Sequence, residues 1–229
     1  MIEILDGAIF VADSHYPHHG DEFLLLLERI SSGKMTTPQL FLMGDIFDLL
    51  FGYNEYIKEF SRDAILLLQR VSKDIEVYYF EGNHDFLLRD IFESITIYPR
   101  DQQPQIFSLG DKKVALSHGD RYSLGWGYHI YSLVVRSRIL ITILNPFSKY
   151  IIDDRMVKLA KKSICNKFYD FDNRAREILT NYNSVDLVIE GHYHQAKIVD
   201  SRYISLPSLA CQRQIVTISS NELQFVDID

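Results

Sequence analysis

The sequence predicts an α/β fold with a largely parallel sheet and a polar site at the carboxyl ends of its strands. Two observations lead there. Five apolar runs, residues 8–12, 40–43, 77–80, 114–116 and 187–189, have the length and the β-branched or aromatic content of buried strands. Each is followed by a short motif rich in Asp, Asn or His. The motifs are Asp13-Ser14-His15, Gly44-Asp45-Ile46-Phe47-Asp48, Gly82-Asn83-His84-Asp85, Ser117-His118-Gly119-Asp120 and Gly191-His192-Tyr193-His194. Helical stretches separate successive runs, and ligand sites of such sheets lie beyond the carboxyl ends of the strands. All five motifs are therefore expected at one edge.

The remaining elements follow in order. Residues 20–30 read as a short helix with a Leu-rich face. Residues 54–72 read as one amphipathic helix, with Ile57, Phe60, Ala64, Leu67 and Leu68 at helical spacing and Asn54 as its cap. Residues 86–94 are another short helix. Residues 105–109 and 113–116 flank Gly110-Asp111-Lys112, which has the composition of a hairpin turn. After the last motif, residues 196–199, 203–206, 214–218 and 223–226 alternate like antiparallel strands. Ser219-Ser220-Asn221 and the Pro207 region supply turns.

Residues 121–167 break this rhythm and read as two helices joined near Asn145-Pro146. The segment holds nine basic residues, Arg121, Arg136, Arg138, Lys149, Arg155, Lys158, Lys161, Lys162 and Lys167, against Asp153 and Asp154. It is also rich in Ile, Leu, Val and Tyr. A basic, apolar insertion beside a polar site suits a lid over an anionic amphiphile. The alternative for residues 128–144 is a core helix, since a helix apolar on all sides must be buried. The division expected is a core of residues 1–120 and 171–229 and a lid of residues 121–170.

A length of 229 residues fits one large domain, and a hydrophobic fraction of 47% supports a sizeable core. The net charge of −7 argues against a general nucleic-acid binder. Cys165 and Cys211 are far apart and read as buried thiols, so a reducing compartment is expected. Met1-Ile2-Glu3-Ile4-Leu5-Asp6 carries no basic region and no cleavage signal. Residues 128–144 include Arg136 and Arg138 and fall short of the roughly 20 apolar residues that span a bilayer.

The motifs point to phosphate-ester chemistry. Hydrolysis of such an ester needs a nucleophilic water at neutral pH and a neutralised phosphoryl group, and a pair of metal ions supplies both. Asp13 and His15 can turn toward one ion, and Asp45 is the natural bridging carboxylate. Asn83 offers a carbonyl oxygen, and His118, His192 and His194 complete the set. Mixed imidazole and carboxylate donors suit manganese, iron or zinc better than calcium. His84 is placed to contact phosphate or protonate a leaving oxygen. Asp48 and Asp85 read as groups that orient imidazoles, and Asp120 as a turn cap or orienting acceptor. His18 and His19 read as an exposed helix entrance.

The ordered set DxH, GDxxD, GNHD, HGD and GHxH resembles that of the calcineurin-like metallophosphoesterases across nearly the whole chain. The resemblance implies a four-layer αββα sandwich with a helical insertion and a binuclear metal centre. It implies that Asp13, His15, Asp45 and His194 hold one ion and that Asp45, Asn83, His118 and His192 hold the other. Within the family the chain is most similar to the UDP-2,3-diacylglucosamine diphosphatase branch of lipid A synthesis. The shared features are Gly44-Asp45-Ile46-Phe47-Asp48, Gly82-Asn83-His84-Asp85-Phe86-Leu87-Leu88, His118-Gly119-Asp120 and an insertion containing Asn145-Pro146-Phe147. One departure is His84, where the best-known members of that branch have Arg and the family at large has His. The resemblance implies two divalent ions, with manganese first, and attack at the phosphorus nearer the nucleoside. It also implies an anionic acylated nucleotide-sugar substrate, transient contact with a membrane surface, and work on the cytoplasmic side of the inner membrane. Tyr128, Lys158, Lys162 and Lys167 are the candidate substrate-binding residues. Two other functions stay open: a phosphoesterase for a soluble nucleotide, phosphodiester or phosphoprotein, and a metal-stabilised scaffold protein.

Overall fold

Alternation along the buried strands decides the architecture. In the strand of residues 39–42, Leu40 and Leu42 face one apolar cluster while Phe41 faces another. In the strand of residues 187–190, Leu187 and Ile189 face that second cluster while Val188 faces a third. Strands buried on both faces need cover on both sides. The result is two sheets packed face to face with helices outside, the αββα sandwich.

The computed structural model describes residues 1–122 and 125–228. Its strands are β1 (Ile2–Glu3), β2 (Ile9–Val11), β3 (Gln39–Leu42), β4 (Leu50–Phe51), β5 (Glu76–Phe80), β6 (Asp85–Phe86) and β7 (Thr96–Tyr98). They continue with β8 (Gln105–Leu109), β9 (Lys112–Ser117), β10 (Leu187–Glu190), β11 (Lys197–Val199), β12 (Tyr203–Ser205), β13 (Gln214–Ser219) and β14 (Glu222–Asp227). The helices are α1 (Glu22–Ser31), α2 (Glu55–Glu59), α3 (Arg62–Val71), α4 (Trp126–Val135), α5 (Arg138–Leu144), α6 (Ser148–Ala160), α7 (Phe171–Leu179) and α8 (Leu209–Gln212).

One sheet runs β1-β8-β9-β10-β12-β11 and the other β14-β13-β2-β3-β5-β7. The five motif-bearing strands are thus divided. β2, β3 and β5 are parallel neighbours in the second sheet, and β9 and β10 are parallel neighbours in the first. This corrects the single largely parallel sheet read from the apolar runs. The strands after the last motif are divided too: β11 and β12 form an antiparallel pair in the first sheet, β13 and β14 in the second.

Three helix predictions need correction. The expected helix of residues 54–72 is two helices, α2 and α3, broken at Phe60 and Ser61. Asn54 does cap α2, its Oδ1 accepting from Ile57 N at 2.9 Å. Residues 86–94 are the end of β6 and a short 3-10 turn at Leu88–Asp90. Here Phe86 pairs with Phe51 in a strand, Leu87 is left-handed at φ 57°, and Leu88 N donates to Glu81 Oε1, so no longer helix forms. The run of residues 128–144 divides into α4 and α5 at Arg136 and Ser137. Arg136 turns aside to donate to Gly82 O at 2.5 Å, and Ser137 caps α5 at Leu140 N.

α4 and α5 are not core helices. Ser132 is the buried residue of α4 and Ile141 that of α5. α6 is different, because Ile152, Met156 and Leu159 pack into the cluster beneath β2, β3 and β5. Polar contacts fasten the helices to the core: Asn54 Nδ2 donates to Asn145 Oδ1, and Tyr56 OH to Asp153 Oδ1, both at 2.6 Å. No single helix among the described residues is long and apolar enough to cross a membrane.

The cysteines are not free thiols. Cys165 and Cys211 form a disulfide, with Cα atoms 5.4 Å apart across 46 residues of sequence. It ties the strap that follows α6 to α8. Distance along the chain hid a pairing that folding brings into range.

Candidate active site

The carboxyl ends of β2, β3, β5, β9 and β10 meet at one edge, and the turns leaving them are sharply bent. Asp13, His15, Asp45, His192 and His194 all have positive φ, between 49° and 63°. A left-handed backbone costs a residue with a Cβ about 1–2 kcal/mol. Five such residues together mark a site where the fold holds strain. Neighbouring turns hold it in place: Asp13 N donates to Gly44 O and His15 N to Asp45 O, both at 3.1 Å. Gly44 has φ 87°, and a Cβ there would overlap the His118 ring. A Cβ on Gly82 would overlap Asp45. Glycine at these two positions lets three strand ends converge.

Two groups of donor atoms result, Asp13, His15 and His194 in one and Asp45, His118 and His192 in the other. Asn83 Oδ1 lies 3.3 Å from His118 Nε2, and Asp45 Oδ2 lies 3.6 Å from the same atom. The hydrogen bonds around the rings decide which atoms face inward. His194 Nδ1 donates to Ile164 O at 3.1 Å, so Nε2 of the neutral ring carries a lone pair. That Nε2 lies 3.1 Å from Asp13 Oδ1, a buried oxygen with no hydrogen-bond partner. Two electron-pair donors facing each other in a buried place fit a cation between them. His118 repeats the pattern, with Nδ1 donating to Met43 O at 2.9 Å and Nε2 turned to Asp45 and Asn83.

The electrostatics agree. Burial works against a charged His118, but the carboxylates of Asp45, Asp13 and Asp120 and the Met43 carbonyl outweigh it and lift its pKa to about 9. The cluster thus recruits a positive charge in the form of a proton. Burial raises the Asp45 carboxyl, yet His118, His84, His15 and His192 together hold it well below the carboxylate range. His192 is pushed down to about 4, first by burial and then by His118. His15 is pushed down to about 3, chiefly by burial. His15 and His192 are thus neutral donors beside ionised carboxylates, whereas His118 and His194, whose pKa values the carboxylates raise, would give up a proton when a divalent ion binds.

His84 lines the trough next to these donors. Its Nδ1 donates to Asp48 O at 2.6 Å, which leaves Nε2 toward the cavity. Its backbone N donates to Asp45 Oδ1 at 2.8 Å and so orients that carboxylate. Asp48 does engage imidazoles, with Oδ2 2.8 Å from His18 Nδ1 and Oδ1 3.6 Å from His19 Nε2. His18 is exposed, as an entrance to the helix should be, and His19 is half-buried, but both rings turn onto the buried Asp48 carboxylate. Asp85 differs from its reading as an imidazole orienter. It accepts from Gly82 N and Ile46 N at 2.7 Å and from Tyr79 OH at 2.6 Å, so it organises backbone. Asp120 pairs with Arg100 Nε at 2.6 Å and accepts from Tyr128 OH at 3.3 Å.

A cleft of about 480 Å³ opens from Asn83 and His84. Its walls include Phe86, Tyr131, Leu140, Ile141, Leu144, Ile152 and Leu159. Tyr128, Lys158 and Lys162 line it. Lys158 also pairs with Asp154 at 2.6 Å. Lys167 is elsewhere, in a separate cavity beside His192.

Several supporting residues escaped the sequence reading. Arg136 lies 3.8 Å from Glu81 and stacks over Phe86, joining α4 to the GNHD turn. Gln103 accepts from His118 N at 2.7 Å and donates to Glu81 O at 2.9 Å. Glu190, buried just before Gly191, accepts from Ser117 Oγ, Tyr182 OH and Tyr203 OH at 2.6 Å each. It bolts the ends of β9 and β10 and thereby sets His118 and His192. A hydrophobic strand ending in Glu was the available signal.

The family model for calcineurin-like phosphoesterases matches residues 8–196. A UDP-2,3-diacylglucosamine hydrolase from Histophilus somni is 24% identical over 95% of this chain and 98% of its own. A protein of the same name from Coxiella burnetii is 25% identical over 84% and 82%. Among solved structures, a dimetal phosphatase from Danio rerio aligns over 98% of this chain and 99% of its own, with 12% identity and a TM-score of 0.45.

Proposed function

The chain belongs to the calcineurin-like phosphoesterase family and is a metal-dependent hydrolase, and we propose that it splits UDP-2,3-diacylglucosamine into UMP and 2,3-diacylglucosamine 1-phosphate. The observation that carries this reading is the apolar cleft of about 480 Å³ that opens onto Asn83 and His84. A soluble phosphodiester gains nothing from such a wall, whereas each CH₂ of an acyl chain buried there contributes about 0.8 kcal/mol. The names of the relatives at 24% and 25% identity support the same substrate class.

In this reading Asp13, His15, Asp45 and His194 hold one divalent ion, and Asp45, Asn83, His118 and His192 hold the other. Manganese is the first choice, with iron and zinc as alternatives that suit the same donors. Bound there, the ions supply a nucleophilic water at neutral pH and neutralise the phosphoryl charge. The chain does the rest. Asp48 O fixes the His84 ring, so its Nε2 can carry a proton to the leaving oxygen. Lys158 on α6 and Lys162 just beyond its end both line the cleft and meet the anionic part of the substrate. Tyr128 closes the wall beside them.

The segment of residues 121–170, in which residues 123 and 124 lie outside the described residues, is proposed as the lid. Trp126 is 78% exposed, and Leu133, Ile139, Ile143 and Phe147 are exposed as well. With the basic residues of the segment, such a surface suits transient contact with an anionic bilayer. The cytoplasmic face of an inner membrane is the proposed location; the Cys165–Cys211 disulfide is the observation that weighs against a strongly reducing one.

The test is hydrolysis of UDP-2,3-diacylglucosamine with added manganese, beside its deacylated counterpart and an Asp45→Asn control. Selective cleavage of the acylated substrate by the wild type is expected. Equal cleavage of both removes the lid from the reading and moves the function to a soluble phosphodiester.

A further inference from the structure

Three cavities run in series through the site. The apolar cleft shares Asn83, His84 and Lys162 with the trough of about 190 Å³ that contains His15, Asp45, His192 and His194. The trough in turn shares Asn166, His192 and Tyr193 with a third cavity of about 480 Å³. Among the described residues the cleft and the third cavity share none of their lining, so they leave the trough in different directions.

The third cavity has a different chemistry. Among the described residues no aliphatic side chain lines it; Lys167, Phe168, Arg174 and Tyr193 do. The Phe168 ring is 44% exposed and stands edge-on to Tyr193, with centroids 6.1 Å apart. The wall is built rather than loose. Gln195 Oε1 accepts from Phe168 N at 3.3 Å, Gln195 Nε2 donates to Tyr193 O, and the disulfide at Cys165 anchors the same strap.

We propose that this third cavity is a nucleoside-monophosphate subsite. The inference rests on the reading that the substrate is a diphosphate joining a nucleoside to an acylated sugar. Such a molecule has one apolar end and one flat, polar end, with the diphosphate between them. The acyl chains enter the cleft and the diphosphate crosses the trough. The nucleoside then enters the cavity whose wall can stack a base and which Lys167 also lines; Arg174 pairs with Glu177 at 2.8 Å and serves the wall. The base lies against Phe168 and Tyr193, and Lys167 meets the phosphate. Base–aromatic stacking depends little on which base is present, so this subsite selects a nucleotide over a bare sugar phosphate more than one base over another.

The test is calorimetric titration of manganese-loaded protein with UMP, ribose 5-phosphate and inorganic phosphate. The proteins are wild type, Phe168→Leu and Phe168→Tyr, with hydrolysis of UDP-2,3-diacylglucosamine followed in the same samples. UMP is expected to bind the wild type about tenfold more tightly than ribose 5-phosphate. Phe168→Leu, an exposed change that keeps bulk, is expected to erase that difference, and Phe168→Tyr to restore it. Equal binding of UMP and ribose 5-phosphate, or a preference that survives Phe168→Leu, overturns the subsite even where hydrolysis proceeds. A Phe168-dependent preference for UMP without any hydrolysis upholds the subsite and overturns the substrate reading instead.

Discussion

Breaking the Cys165–Cys211 disulfide is expected to loosen both the fold and one half of the metal centre. The bond closes a loop of 46 residues. Chain entropy gives such a loop about 4 kcal/mol of stabilisation at 25 °C, as a ceiling. With a denaturant slope of about 2 kcal/mol per molar urea, the unfolding midpoint falls by up to about 2 M. The local effect is separable. The strap held by Cys165 presents Ile164 O to His194 Nδ1, and the helix held by Cys211 follows Ser208, whose Oγ donates to Asp13 O at 2.7 Å. Loss of an outer partner of a metal-binding imidazole lowers affinity roughly 10- to 100-fold. The assay compares wild type with the double variant Cys165→Ser/Cys211→Ser by urea unfolding and by manganese titration. An unchanged midpoint together with unchanged manganese affinity would refute the reasoning.

Four other outcomes follow from the geometry. Asp45→Asn, which removes the carboxylate grouped with His118 and His192 and proposed to serve both ions, lowers turnover by roughly 10³-fold or more, measured as initial rate at saturating manganese. Arg136→Met leaves Glu81 buried without its cation, and costs about 3 kcal/mol in urea unfolding. Leu140→Asp places a charge in the apolar cleft; it raises KM for the acylated substrate at least about tenfold, while hydrolysis of bis(p-nitrophenyl) phosphate stays unchanged. Burial raises the Glu190 carboxyl above its ordinary 4.5 despite three hydroxyl donors. The unfolded chain then releases this proton at a lower pH than the folded one, so wild-type stability falls as pH rises above about 4.5 toward the folded pKa. Glu190→Gln lacks that slope, and its stability relative to wild type therefore improves over the pH range that begins at about 4.5 and ends at the folded pKa. A constant difference across that range would contradict the assignment.

Much of the site was legible because its chemistry needs uncommon residues at fixed places. Asp13, Asp45, Asn83, His118 and His192 each follow a buried strand closely, and a strand end is a position that sequence can locate. Less legible was which strands pair. β13 runs antiparallel to β2, matching Val216 to Phe10 across the chain, and nothing local announces that partnership. The same holds for the division of the five motif strands between two sheets. Helix breaks were hidden because they arise from tertiary partners: Arg136 leaves its helix to reach Gly82 O and Glu81. Asp85 was misread since a carboxylate beside a histidine motif suggests imidazole contact, whereas here it gathers backbone amides. Gln103 acts on the site only through other residues, so its side-chain type carried no functional signal; for Glu190 the one cue was an acidic residue closing a hydrophobic strand.

The most direct measurement is hydrolysis of UDP-2,3-diacylglucosamine by the manganese-loaded protein in ¹⁸O-labelled water, with both products identified by mass spectrometry. The predicted result is UMP carrying the label and unlabelled diacylglucosamine 1-phosphate, dependent on Asp45. Label in the lipid phosphate would contradict the assigned direction of attack, and no hydrolysis of this substrate would contradict the proposed function.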